Sequence, residues 1–242
     1  MLTDIPGHRS VLSRILKEIV THPGLKNRLG FKGGTSLFLL ENLPRFSTDL
    51  DFDLIASDCT DNERKKVDTI LKKILKDYGE LRDEKLKRDT ILNVISYEDR
   101  QRNIKVEINC RDFGSTYKPR EWLNLALLVM VREDQFAHKL VCLTDRAELA
   151  GRDLFDVAFM FEQGWEINEN IVKRRTGQSL ENYLEKKILP LVSAINPEII
   201  MKDVGELIQD NQASRRWVKT SLLDDLIFSI KNYLQSHYPT SF

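Results

Sequence analysis

What this chain lacks narrows its chemistry before what it contains does. It has three cysteines, Cys59, Cys110 and Cys142, scattered without metal-ligand spacing. So sparse and odd a count reads as free thiols in a reducing cytosol, not as a disulfide framework. The four histidines, His8, His22, His138 and His237, are equally dispersed, which speaks against a zinc site. No stretch approaches the ~18 consecutive apolar residues of a membrane-spanning helix. Nor does the N-terminus show a basic segment followed by an apolar core. The expectation is a cytoplasmic protein that makes no use of a membrane. Net charge is missing too, since 37 basic and 37 acidic residues give a formal +0. That balance excludes a wholesale nucleic-acid coat protein, so any nucleic-acid contact must come from a local basic face.

The bulk composition of the 242 residues, 41% hydrophobic and 31% charged, is that of an ordinary globular chain. Apolar positions Val11, Leu12, Ile15, Leu16 and Ile19 predict a helix over 9–20, stopped at Pro23-Gly24. A short strand over 29–32 runs into the Gly33-Gly34 turn, and 35–40 reads as a short helix. A strand follows over 49–55. Thr60 and Glu63 have the spacing of a capping box, which opens a helix running to about Tyr78. Its lysines (Lys65, Lys66, Lys72, Lys73, Lys76) form a solvated face over a core stripe; the other reading is a basic surface for RNA. Strands over 90–97 and 103–109 flank a polar hairpin loop, 98–102. The nearly all-apolar 123–131 reads as a central strand buried on both faces. From Asp134 onward the pattern is helical, with helices over 134–144, 147–163, 178–190, 197–211 and 219–236. The fold class is therefore α+β: a mixed sheet with flanking helices over 1–131, then a helical bundle over 132–242.

The chemistry concentrates in two neighbouring stretches. Phe31-Lys32-Gly33-Gly34-Thr35-Ser36 places a glycine turn at a helix start, where backbone N–H groups, the positive helix end and the Ser36 hydroxyl suit a phosphate. Paired glycines before a helix are common, so alone this says little. Fourteen residues after Thr35 comes Asp49-Leu50-Asp51-Phe52-Asp53, whose acids alternate with large apolar residues. On a strand Asp49, Asp51 and Asp53 share one face, at roughly 6–7 Å intervals. Such carboxylates can converge on one or two hard cations, and Mg²⁺ binds through a few carboxylates together with substrate phosphates. Glu107, on a later strand whose opposite face is apolar, would add a third acid and complete a two-metal site for chemistry on a nucleotide phosphate. The plainer reading of Glu107 alone is a cross-strand ion pair. Arg45 either steers phosphate or caps its loop, and Asp53 is a third acidic contact or, in the preferred reading, pairs with a basic neighbour.

Together these features resemble the polymerase-β type nucleotidyltransferases. More narrowly, FKGGTSLFLL…PRFSTDLDFDL with KLVCLTDRAELAGRDLFDV is similar to the AbiEii/MenT-type nucleotidyltransferase toxins of bacterial toxin–antitoxin and phage-defence systems. The resemblance covers roughly residues 31–161. It implies that Gly33, Gly34, Thr35 and Ser36 form the phosphate-binding turn and that Asp49 and Asp51 are the metal pair. Lys105-Val106-Glu107-Ile108 matches a Lys-x-acid motif in which Glu107 stands where Asp is common. Lys139 would contact nucleotide phosphates, and Asp153 or Asp156 would support the site, with residues 132–242 completing it. On spacing alone, Lys139 and Arg146 can share a helix face, and Arg152 with Asp156 can form a surface pair worth a few tenths of a kcal/mol. The activity implied is transfer of a nucleoside monophosphate from an NTP to an acceptor, a tRNA 3′ end, with an antitoxin encoded nearby as partner. Lys173-Arg174-Arg175, Lys186-Lys187 and Arg215-Arg216-Trp217 are candidate RNA contacts. A small-molecule nucleotidyltransferase and a non-catalytic nucleotide-binding protein are the alternatives.

Overall fold

The computed structural model describes residues 4–55, 59–98, 102–208 and 212–239. It divides into two compact units: 1–42 with 47–112 and 116–130, and 43–46 with 113–115 and 131–242.

The first unit is a seven-stranded mixed sheet with three helices: α1 (Ile5–Thr21), α2 (Gly33–Leu40) and α3 (Asp61–Lys76). The strands are β1 (Leu29–Lys32), β2 (Leu50–Leu54), β3 (Glu80–Leu86), β4 (Thr90–Ser96), β5 (Ile104–Asn109), β6 (Tyr117–Trp122) and β7 (Leu125–Met130), in the order β3-β4-β5-β2-β1-β7-β6. β2 lies antiparallel to β1 and parallel to β5. Alternation along the strands sorts the two faces. Leu50, Phe52 and Leu54 of β2 join Ile104, Val106 and Ile108 of β5 in one apolar core. That core also takes Leu12, Ile15, Leu16 and Ile19 of α1 and Val67, Leu71 and Leu75 of α3. Asp51 and Asp53, with Lys105, Glu107 and Asn109, are thereby left on the opposite face, because successive strand side chains alternate.

Two strands escaped the sequence pattern. β3 (ELRDEKL) is a charged, largely exposed edge, and β6 (YKPREW) carries Pro119, which edge strands tolerate. β7 was expected to be buried on both faces, but Ala126 is exposed and Leu125 and Leu128 are half-buried. It lies one strand from the sheet edge, between β1 and β6. Residues 99–101 of the expected hairpin loop lie outside the described residues. Thr60 caps α3 as expected, its side chain accepting from the Glu63 N–H, while the Glu63 carboxylate pairs with Arg28.

The second unit is all-helical among the described residues: α4 (Arg132–Asp145), α5 (Gly151–Glu162), α6 (Glu169–Thr176), α7 (Leu180–Tyr183), a π-helical turn (Leu184–Ile188), α8 (Leu189–Ser193), α9 (Pro197–Val204), α10 (Gln212–Thr220) and α11 (Leu222–His237). α5 is its axis; apart from Arg152 and Glu162 every residue of it is buried. Gly151 starts it against α9, where a Cβ would stand 2.6 Å from the Ile199 carbonyl oxygen. α6 was not expected, being short and rich in Lys and Arg. The helix expected over 178–190 is interrupted by the π-turn. Residues 209–211 of the helix expected over 197–211 lie outside the described residues, and what precedes them ends at Val204. Residues 43–46 belong here because the Phe46 N–H donates to the Leu207 carbonyl (2.7 Å) and Arg45 reaches α5.

Candidate functional site

The glycine turn, the acidic strand and Glu107 all fall in the first unit, joined by the β1–β2–β5 pairing. β1 delivers the turn: Lys32 faces Asp51 in register, and Gly33 follows at once as the first residue of α2. Gly33 has φ +80, a left-handed conformation that favours glycine, and a Cβ there would lie 2.6 Å from Asp51 Oδ2. The turn and the acid thus touch through the one residue type that permits it. Thr35 donates its hydroxyl to the Asp49 carbonyl oxygen, tying α2 to the entrance of β2. Ser36 Oγ is buried with no partner among the described residues. Asp49 itself lies just before β2, not within it.

Parallel pairing of β2 and β5 sets Asp51 directly beside Glu107. The Lys105 ammonium stands among the acids, 3.1 Å from Glu107 Oε2, 3.9 Å from Asp49 Oδ2 and 3.9 Å from Asp51 Oδ1. Burial works against its charge, but Asp51, Glu107 and Asp49 outweigh this and hold its pKa above the ordinary lysine value. Asp53 does not join the group. It accepts from Lys32, from Asn109 Nδ2 (2.7 Å) and from the Tyr117 hydroxyl (2.5 Å), as the expected pairing with a basic neighbour required. Among the described residues no three His, Cys, Asp or Glu side chains form a ready-made metal cage. The donor set nevertheless fits Mg²⁺. It offers only carboxylate oxygens, it already draws a side-chain cation to its centre, and Mg²⁺ takes few protein ligands when substrate phosphates supply the rest.

The remaining residues named from the sequence lie in the second unit and form one buried network. Arg45, 3% exposed, makes a two-pronged pair with Asp156 through Nε and Nη2, each 2.6 Å long. Lys139 Nζ, on α4, bridges Asp153 (2.9 Å) and Asp156 (2.8 Å) of α5. Burial opposes the Lys139 charge, but Asp156 and Asp153 outweigh it and raise its pKa. Burial likewise pushes against ionisation of Asp153, yet Lys139 and Arg146 hold that carboxyl below its usual range. Arg146 Nη2 stands 3.3 Å from Asp153 Oδ2, so Lys139 and Arg146 do converge, on Asp153. The surface-pair reading of Asp156 does not hold, because its side chain is wholly buried.

Sequence reasoning left four contributors without a role. Lys105 was visible as a lysine on the Glu107 face, but its convergence on three acids depends on the β2–β5 register. Lys32 and Tyr117 reach Asp53 from β1 and β6. His8 is fully buried; its Nε2 lies 3.2 Å from the Thr48 carbonyl oxygen and its Nδ1 2.8 Å from the Tyr97 hydroxyl. Contacts 40 and 89 residues apart leave no local signal. Of the basic segments, Lys173 and Arg174 are exposed near the end of α6, and Arg175 pairs with Asp145. Lys186 and Lys187 are exposed on the π-turn. Arg215 and Arg216 are exposed, whereas the Trp217 ring meets Phe155 edge-on and donates to Asp225 (2.7 Å).

A mixed sheet that brings a glycine turn and paired acids together on one face defines a nucleotidyltransferase-type fold. Several solved structures share it. MenT4, a nucleotidyltransferase toxin from Mycobacterium tuberculosis H37Rv, aligns at 19% identity and TM-score 0.59, over 92% of this chain and 82% of that one. JHP933 from Helicobacter pylori aligns at 17% identity and TM-score 0.54, over 98% and 97%. No curated protein gives a significant match. The family profile described as nucleotidyl transferase AbiEii toxin, type IV TA system, matches residues 14–221. The chain belongs to that family: it is a nucleotidyltransferase of the toxin type, and the family implies an NTP substrate and a cognate antitoxin. No helix among the described residues is long and apolar enough to cross a membrane.

Proposed function

We propose that the protein transfers a nucleoside monophosphate from an NTP to the 3′ end of a tRNA in the cytoplasm, and that this blocks translation and arrests growth. The observation that carries the reading is the register placing Asp51 beside Glu107 while Gly33 presses the phosphate-type turn against Asp51. Gly33 and Gly34 let the start of α2 approach phosphate closely, and the backbone N–H groups of that first turn have no intrahelical acceptors. Ser36 Oγ, buried and unpartnered among the described residues, is available to the same phosphate. Asp49, Asp51 and Glu107 are the residues that would hold Mg²⁺. When bound there, the ion supplies neutralisation of triphosphate charge and activation of the acceptor hydroxyl.

Lys139 is committed to Asp153 and Asp156, and the two-pronged Arg45 pair fixes Asp156, so in this reading the network supports α4 and α5 and is not itself a phosphate contact. A direct phosphate contact by Arg45 would require that pair to open, so its role is to position. A single-stranded acceptor end needs a local basic surface, not overall positive charge. Lys173, Arg174, Lys186 and Lys187 offer one. Their exposure supports this assignment.

The test is label transfer. Protein, Mg²⁺, total tRNA and each α-labelled NTP in turn should give labelled RNA with one preferred donor, and none with Asp49→Ala. Label on a small molecule would favour the antibiotic-modifying kind of enzyme. Loss of every signal, pyrophosphate included, would leave a nucleotide-binding protein.

A further inference from the structure

We propose that Lys105 is a resident counter-cation of the acidic centre, which holds Asp49, Asp51 and Glu107 together in the empty enzyme and competes with a divalent ion for them. The inference rests on the metal-binding reading above and deepens it. Three carboxylates gathered around one point repel one another, and the Lys105 ammonium stands among them, 3.1–3.9 Å from each. Its attachment is uneven. At 3.1 Å it hydrogen-bonds Glu107, but 3.9 Å to Asp49 and Asp51 is a Coulombic distance, not a hydrogen bond. A cation held this way steadies all three acids while committing firmly to one.

The lysine is also built to leave. Its stem starts on β5, two residues before Glu107 on the same face, and its side chain is 30% exposed. Lysine is a compact charge on a flexible four-carbon arm, so the head can swing toward solvent without disturbing β5. Arginine would be harder to dislodge, because its planar fork locks onto carboxylates with two bonds. On that face the stem lies beside Val94 of β4, which pairs directly with Lys105. Lysine at this position therefore lets the centre exist without a metal and makes metal binding conditional on an additional attraction, which a triphosphate provides. Nucleotide and ion would then bind together far more tightly than the ion alone.

The experiment is Mn²⁺ binding to the intact protein without nucleotide, read by electron paramagnetic resonance, alongside melting temperatures with and without saturating Mg²⁺. Removing a unit charge about 4 Å from the acids should let Lys105→Met bind Mn²⁺ about tenfold more tightly than wild type. Lys105→Met should also melt lower without metal and recover with Mg²⁺, whereas a merely structural lysine would cost the same in both conditions. Lys105→Arg, which keeps the charge, should bind Mn²⁺ no more tightly than wild type and provides the comparison should the methionine variant fold poorly. Asp51→Asn separates the two layers of the argument. If it leaves Mn²⁺ affinity unchanged, the metal-binding reading fails. If it weakens Mn²⁺ while Lys105→Met binds no more tightly than wild type, the counter-cation inference alone is overturned.

Discussion

Gly33→Ala should separate catalytic damage from simple destabilisation. Two costs arise at this position. With φ at +80, an alanine there bears the left-handed penalty of about 1–2 kcal/mol. Its Cβ would also lie 2.6 Å from Asp51 Oδ2, 3.0 Å from Asp51 Cβ and 3.2 Å from Cγ. The carboxylate could swing aside about χ1, but Asp51 Cβ, at 3.0 Å, is fixed to the strand, so Asp51 must shift by a few tenths of an ångström. Gly177 supplies the matched control. It has φ +74 at the end of α6, and nothing lies within 4 Å of an added Cβ. Both substitutions carry the backbone strain, and only one displaces an acid of the centre.

Gly177→Ala should lose about 1–2 kcal/mol, which for a chain of this size lowers Tm by roughly 2–8 °C, and Gly33→Ala at least as much. A displacement approaching 1 Å at a reacting centre can cost about 100-fold in rate. Gly33→Ala should therefore lose one to two orders of magnitude of nucleotide transfer at a temperature where both proteins are folded, and Gly177→Ala almost none. Calorimetry gives the first quantity and label transfer the second. Equal activity in the two variants would refute the claim that Gly33 exists to admit Asp51 against the turn.

Two further perturbations follow from the buried groups. Lys139→Met strips the ammonium from between Asp153 and Asp156, and breaking a buried ion network by removing one partner costs about 3–5 kcal/mol. Urea denaturation should show a loss of that size, and a loss below about 1 kcal/mol would contradict the network. For His8, burial lowers the pKa below 6.5 in spite of the Thr48 carbonyl and Asp49, which raise it. The folded state therefore prefers the neutral ring, and the stability this gives is complete above pH 6.5 and lost as pH falls through the lower folded value. Between pH 7 and 5 the urea midpoint should fall more in wild type than in His8→Gln, and parallel curves would remove His8 from the account.

Much of the centre was legible because its signals are local. The Gly33-Gly34 turn, the Asp-x-Asp alternation and the apolar face opposite Glu107 can each be read from a few adjacent residues. The register of a parallel pair cannot be. Nothing near Lys105 in sequence says that β2 will pair with β5 and put its ammonium beside Asp49 and Asp51. Edge strands were lost for the reason they survive in folds: β3 is charged and β6 contains Pro119, and both features weaken the strand pattern while discouraging edge-to-edge association. α6 was missed because a short helix ending in Lys173-Arg174-Arg175 has little apolar stripe. The π-turn shifted the phase of a helix that periodicity read as continuous, since the i→i+5 ladder moves each later side chain off the 3.6-residue register.

The two charged clusters also differ in kind, and the difference bears on what each can do. In the second unit Arg45, Lys139, Asp153 and Asp156 meet at 2.6–2.9 Å, and the two acids are at most 1% exposed. Opposite charges in that geometry neutralise one another, and any ligand that replaced one partner would have to overcome the desolvation of the other. In the first unit Lys105 approaches Asp49 and Asp51 no closer than 3.9 Å, and Asp51, Lys105 and Glu107 are 30–38% exposed. A cluster held loosely and open to solvent can exchange its cation at small cost. The family resemblance assigned metal to the acids of the first cluster and a phosphate contact to Lys139 of the second. By burial and bond length, Asp49, Asp51 and Glu107 are the cluster open to cation exchange, whereas Arg45, Lys139, Asp153 and Asp156 tie residues 43–46, α4 and α5 together.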